Sequence, residues 1–275
     1  TILFTIEWYK NPNIEKIVKI AIFSSFTVMS KVSGLMLLPA ILMIFFIKLE
    51  SKKLKLKKQI LIYFLIFVPV GLGWFIYNFI RWKVPFYYTE GASLLNITDF
   101  PYSAVISRLF YIDYNEIGNI FVTENGVLNY NILATLLKTS VFGEYNYGTS
   151  WQVIIFGSIL FYTNVVFLLS VVCSMFISLY KEYNKINYIL KIFFYVLFLT
   201  NIILYLKFSI PSDKFCYADF RYIVLTIFLG IIAIAFVLTD VQNKSSMIAK
   251  VYEKFIIVLT IVFCLSSIML YLSVI

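Results

Sequence analysis

The 275-residue sequence contains no histidine and only three cysteines. Without histidine, this stretch of chain has no Ser-His-Asp triad, no histidine-ligated zinc and no histidine-ligated haem. Three scattered cysteines are too few to build a disulfide framework. Charged residues are also scarce, at 13%, and 14 acids are outnumbered by 23 lysines and arginines. No cluster of oxygen ligands is visible in the sequence, so neither a metal nor another cofactor is indicated.

Hydrophobic residues are abundant instead, at 61%, and the mean hydropathy is +0.91. These values lie far above those of soluble globular domains. A helix needs about 20 apolar residues to cross the hydrocarbon core of a bilayer. Five segments approach or meet this length: 60–80, 153–179, 186–206, 222–239 and 255–275. We therefore predict an all-α fold, a single polytopic transmembrane bundle over residues 1–275, with the lipid bilayer as its partner.

The net charge of +9 is concentrated in "IKLESKKLKLKKQ", residues 47–59. Short lysine-rich loops stay in the cytoplasm, and the alternation of spans from this anchor places residues 82–150 outside as a large extracytoplasmic loop. Orientation and anionic lipid explain the positive charge, so we expect no nucleic-acid partner.

Residues 17–47 are too long for one span and are interrupted by "SKVSG" at 30–34. Because Lys31 would be costly at the centre of a bilayer, we predict a helical hairpin over 17–47 with Lys31 at the outer surface. A single kinked helix, with Lys31 facing a polar cavity, is the alternative.

Within the loop 82–150, "NILATLLKTSVFGE" predicts a helix that lies on or in the outer leaflet. Its apolar side chains fall near one face: Ile132, Leu133, Leu136, Leu137 and Val141. The alternative is a lid that only packs on the bundle.

Four motifs stand out along the chain: "SKVSGLMLLPAIL", "GWFIYNFIRWKVPFYY", "LLKTSVFGEYNYG" and "CYADFRYIVL". They resemble motifs of bacterial GT-C membrane glycosyltransferases, the lineage of protein O-mannosyltransferases and lipid A aminoarabinose transferases. The second motif departs from the family pattern, because Tyr77 stands where the family has an Arg before Asn78, and Arg81 is a candidate substitute. The resemblance covers nearly the whole chain in matching order.

The resemblance implies transfer of a sugar from a polyprenyl-phosphate donor to a protein or glycan acceptor outside the bacterial plasma membrane. It also places the main catalytic base in an N-terminal region that this chain lacks. The chain opens with Thr1 and an apolar stretch, so we expect it to be the later part of a longer protein.

A lipid phosphate held between helices needs cations at the level of the outer headgroups. Arg221, Arg81 and Lys31 fall at predicted outer ends of spans and are the candidates for binding the donor phosphate, and Lys207 has a similar position. Arg221 comes first, because a guanidinium offers two donors to phosphate oxygens. The alternative for each is an ordinary headgroup contact.

Glycosyl transfer also needs a carboxylate that accepts the proton of the acceptor. Asp219, Glu144 and Asp113 are candidate helpers. Asp219 lies two residues from Arg221, a spacing that disfavours a direct ion pair, so we expect the two side chains to address different groups. Two further hypotheses stay open: a lipid-linked oligosaccharide flippase or transporter, and a surface-glycan polymerase.

Overall fold

A computed structural model of the chain describes residues 1–50, 54–83, 106, 108–111, 118–121, 131–143, 146–180, 185–210, 219–243 and 247–274. The described part is 89% helical and contains no strand, which confirms the all-α prediction. The helices with bounds in this part are α1 (Ile2–Lys10), α2 (Ile14–Ser30), α3 (Leu38–Leu49), α4 (Leu54–Phe67), α5 (Gly73–Trp82), α6 (Ile132–Phe142), α7 (Trp151–Tyr180), α8 (Lys185–Ser209), α9 (Leu225–Asn243) and α10 (Met247–Val274).

Within the described residues, four helical segments are long and apolar enough to cross a membrane. They are Lys55–Trp82, Trp151–Ser178, Tyr188–Ser209 and Lys250–Val274. The apolar part of α9, Leu225–Thr239, is shorter than these four. The side of the membrane on which each connection lies stays a prediction.

The chain falls into two compact units. Unit 1 contains Thr1–Leu95 and Glu182–Leu204, and unit 2 contains Asn96–Lys181 and Tyr205–Ile275.

The core of unit 1 forms around three aromatic rings from three helices. The Trp8 ring meets the Phe45 ring edge-on at 5.2 Å between centroids, and Phe45 meets Tyr63 in the same way at 5.0 Å. The buried Trp8 Nε1 donates a hydrogen bond of 2.8 Å to Gln59 Oε1. Aromatic packing and one buried hydrogen bond therefore join α1, α3 and α4.

Helix α2 approaches the segment between α4 and α5 very closely. This segment, Val68–Leu72, is a π-helical turn that contains Pro69, a residue that removes one backbone donor from the helix. A Cβ on Gly71 would lie 3.0 Å from Ser25 Cα, whereas a Cβ on Gly73 would meet no atom within 4 Å. The glycine at 71 thus permits the contact between two backbones that small residues allow in membrane helices.

Helix α2 ends at Ser30, and Lys31 has an extended backbone with φ −158° and ψ 129°. A 3-10 turn, Val32–Leu37, leads into α3. The hairpin over 17–47 and its membrane orientation stay predictions.

In unit 2, α7 packs against α6, α9 and α10. One apolar cluster surrounds Phe142 and Phe161 and includes Leu270 of α10. A second cluster joins α6 to the end of α8 and to the start of α9, with Ile132, Tyr205, Phe220 and Ile223 as its buried members. The candidate functional residues lie around this second cluster.

Candidate anion-binding site

The motif "ADFRY" folds into a short 3-10 turn, Phe220–Tyr222, just before α9. Asp219 caps this turn, because its Oδ1 accepts a hydrogen bond of 2.6 Å from the backbone N–H of Arg221. The Asp219 side chain is buried, whereas Arg221 is exposed. The bond that joins these two residues is therefore a cap on the backbone, with the Arg221 side chain directed away from the core.

Thr139 of α6 also holds this turn. Its Oγ1 accepts a buried hydrogen bond of 3.0 Å from the backbone N–H of Phe220 and donates one of 3.3 Å to the Leu136 carbonyl. The Phe220 ring packs in the cluster with Ile132. Polar and apolar contacts together fix the position of the turn on α6.

Asn131 caps the first turn of α6 and also ties a distant segment to it. Its Oδ1 accepts from the backbone N–H groups of Leu133 and Ala134, at 2.9 and 3.1 Å. Its Nδ2 donates to the carbonyls of Leu109 and Tyr111, at 3.2 and 2.9 Å. One buried amide thus satisfies two donors and two acceptors, as burial requires.

Arg108 precedes that segment and is almost completely buried, with 1% of its surface exposed. Its Nη1 donates a hydrogen bond of 2.6 Å to the carbonyl of Ile210, the residue that follows α8. A cation at this end complements the negative end of the helix dipole. Arg108 therefore holds the C-terminal end of α8 beside α6.

Four cationic side chains belong to this assembly. Arg108 and Lys138 are buried, Lys207 and Arg221 are exposed, and the Arg221 guanidinium lies 5.3 Å from the centre of the Tyr222 ring. Among the described residues of the assembly the single carboxylate is Asp219, which is engaged with the backbone of Arg221. Exposed cations such as Lys207 and Arg221 can bind an anion through charge-assisted hydrogen bonds.

Arg81 belongs to unit 1, where it is exposed near the end of α5. Its Nη1 donates to the Tyr77 hydroxyl, and its guanidinium lies 5.0 Å from the centre of the Trp82 ring. Tyr77, the residue that departs from the family motif, thus contacts the arginine considered as its substitute. Lys31, also in unit 1, is exposed just after α2. Asp113 and Glu144 lie outside the described residues.

The structure brings together several residues that the sequence did not single out: Asn131, Arg108, Lys138 and Thr139. One signal could have found two of them, since Lys138 and Thr139 are part of "LLKTSVFGEYNYG". Helix α6 forms over the expected residues, but it buries Thr135, Lys138 and Thr139 and leaves Leu133 exposed. Of the predicted apolar face, Ile132 is buried and Leu136, Leu137 and Val141 pack partly buried against the two apolar clusters, so Leu133 is the exposed member of that set.

No group of three His, Cys, Asp or Glu side chains that could hold a metal ion is found in the described part of the chain. Comparison with protein-family models gave no match, and comparisons with curated proteins and with solved structures gave none either.

Proposed function

We propose that the chain is part of a GT-C-type membrane glycosyltransferase. In this proposal the enzyme moves a sugar from a polyprenyl-phosphate donor to a protein or glycan acceptor at the outer face of a bacterial plasma membrane. The loop 82–150 lies on that outer face, and the assembly around α6 binds the phosphate of the donor.

The observation that carries the proposal is a set of cations at the end of a candidate span, Tyr188–Ser209. Arg108 bonds to the Ile210 carbonyl just after it, Lys207 lies in its last turn, and the Phe208 ring lies 5.0 Å from that of Tyr222, the neighbour of Arg221. The end of a span lies at the level of the headgroups, which is where the phosphate of a polyprenyl lipid is found. Both the charge and the depth therefore suit a lipid-linked phosphate.

In the transfer step the acceptor hydroxyl oxygen forms a bond to the anomeric carbon of the sugar and its proton passes to a carboxylate base. The bond from that carbon to a phosphate oxygen breaks, and the lipid phosphate keeps the electron pair. The negative charge on that oxygen grows in the transition state, so fixed cations lower the barrier. Arg221 is suited to this role because its guanidinium offers two donors. Asp219 and Thr139 act as positioning residues, since they hold the backbone on either side of Phe220.

One observation favours the alternative, a flippase or transporter of lipid-linked oligosaccharides. The Asn201 amide is buried within the candidate span Tyr188–Ser209, and neither its Nδ2 nor its Oδ1 has a hydrogen-bond partner. Transporters place polar binding groups near the middle of the membrane. The alternative requires that Asn201 lines a path for the substrate.

The proposal is tested by a sugar-transfer assay with the purified full-length protein and a polyprenyl-phosphate sugar. We expect Arg221→Ala to lower the transfer rate by roughly 100-fold, and Arg221→Lys to recover part of it. Lys250→Ala, a change at an exposed lysine of α10, is the matched control and keeps the wild-type rate. Undiminished transfer by Arg221→Ala contradicts the proposal. The transporter is favoured if the wild-type protein transfers no sugar but moves the lipid-linked sugar across vesicle membranes, and Asn201→Leu loses that movement.

A further inference from the structure

Four helix ends that carry lysine come together in unit 1. Lys48, near the end of α3, places its Nζ 4.5 Å from the centre of the Tyr9 ring, near the end of α1. Lys16, in the first turn of α2, donates to the carbonyls of Glu7 and Asn11 at 3.4 Å each. The hydrogen bond from Trp8 to Gln59 brings the first half of α4 to the same place. We call this end of unit 1 the lysine surface.

The lysine surface is strongly positive. Its seven lysines and three glutamates leave four positive charges; the lysines are Lys10, Lys16, Lys19, Lys48, Lys55, Lys57 and Lys58, and the glutamates are Glu7, Glu15 and Glu50. Glu15 is engaged within α2, where its Oε1 lies 2.5 Å from Lys19 Nζ. The lysines of α4 are exposed. The described acids of this end therefore do not neutralise it.

The position of the surface along a candidate span limits the kind of partner. The span Lys55–Trp82 has 28 residues, a length of about 42 Å at 1.5 Å per residue. The hydrocarbon core is only about 30 Å thick. Lys55 and its neighbours at one end, and Arg81 and Trp82 at the other, therefore lie at the headgroup level of opposite membrane faces.

We propose that the lysine surface binds the headgroups of anionic phospholipids. Ammonium groups from four helices, fixed by packing at headgroup depth, offer several donors to the phosphates of neighbouring lipids. This inference is independent of the proposed transfer reaction. Lys31, the donor-site candidate in the same unit, lies 15 residues along α2 from Lys16, roughly 22 Å away.

The test is the thermal stability of the purified full chain in a neutral detergent, with added phosphatidylglycerol or phosphatidylcholine. We expect phosphatidylglycerol to raise Tm by roughly 3 °C more than phosphatidylcholine does. The double variant Lys57→Gln/Lys58→Gln should lose most of this difference while keeping the wild-type Tm in phosphatidylcholine. Lys57→Arg/Lys58→Arg should retain it.

The matched control is Lys250→Gln/Lys254→Gln, which removes the same charge from two exposed lysines of α10 and should keep the difference. Equal effects of the two lipids on the wild-type chain overturn the proposal. An equal loss of the Tm difference between the two lipids in Lys57→Gln/Lys58→Gln and in Lys250→Gln/Lys254→Gln also overturns the proposal. Inorganic phosphate is the third arm: a rise in Tm with phosphate that matches the rise with phosphatidylglycerol identifies a phosphate site and overturns the lipid assignment.

Discussion

The hydroxyl of Thr139 accepts a hydrogen bond from the backbone N–H of Phe220, across 81 residues of sequence. Both residues are buried, and the bond fixes the turn that bears Arg221 on helix α6. The position of the proposed donor-binding arginine therefore depends on a buried threonine of another helix.

The first prediction concerns this hydroxyl. Thr139→Val keeps the shape of the side chain but leaves the Phe220 N–H buried without an acceptor, which should lower the free energy of unfolding by about 1–3 kcal/mol. Thr139→Ser should lower the free energy of unfolding by less. Thr239→Val is the control, because the exposed Thr239 hydroxyl bonds only to its own helix. Denaturation curves of the three variants check the order, and equal stability of the two valine variants contradicts it.

The second prediction separates two arginines of the same assembly. Arg108→Gln removes a buried charge-assisted hydrogen bond to the Ile210 carbonyl, so we expect a loss of about 1.5–3 kcal/mol of stability. Arg221→Gln changes an exposed side chain and should alter stability by less than about 0.5 kcal/mol. Thermal unfolding measures both. An equal fall in Tm for Arg221→Gln and Arg108→Gln contradicts the prediction.

The third prediction uses two glycines that lie two residues apart. Gly71→Ala places a Cβ 3.0 Å from Ser25 Cα, whereas the Cβ of Gly73→Ala meets no atom within 4 Å. We expect Gly71→Ala to destabilise unit 1 by about 1–3 kcal/mol through overpacking. Gly73→Ala should be neutral, or stabilising by up to about 1 kcal/mol. Measured Tm values that do not differ between the two variants would refute the close contact.

The fourth prediction concerns the buried indole of α1. Trp8→Phe preserves the ring packing but removes the donor to Gln59 Oε1, which should cost about 1–3 kcal/mol because the amide oxygen stays buried. Trp74→Phe is the matched control, since Trp74 is 63% exposed and should tolerate the change. Chemical denaturation measures the free energy of unfolding of both variants. A larger loss for Trp74→Phe than for Trp8→Phe contradicts the prediction.

The sequence was sufficient for the fold class because long apolar runs leave few options in a bilayer. Every backbone polar group must be satisfied within the segment, so such runs become helices. Pattern alone could not orient α6. The sequence predicted that its apolar face lies on or in the outer leaflet, with packing on the bundle as the alternative; Ile132 is buried and Leu136, Leu137 and Val141 pack against the apolar clusters of unit 2. Thr135, Lys138 and Thr139 are buried as well, and apolar periodicity does not predict buried polar residues.

The sequence predicted only part of the candidate site, for a related reason. Arg221 and Asp219 stand in one motif and can be read together. Arg108 and Asn131 make their contacts with the Ile210, Leu109 and Tyr111 carbonyls, which lie 102, 22 and 20 residues away. No local periodicity encodes such partners.

Asn131 and Thr139 hold two separate segments at positions eight residues apart on α6, a span of about 12 Å. A helix of this length bends little, so a tilt of α6 moves the backbone at Leu109 and Tyr111 and the turn Phe220–Tyr222 together. Through α6, a movement of the backbone next to Arg108 shifts the turn that carries Arg221. The two guanidinium groups need not touch for this coupling.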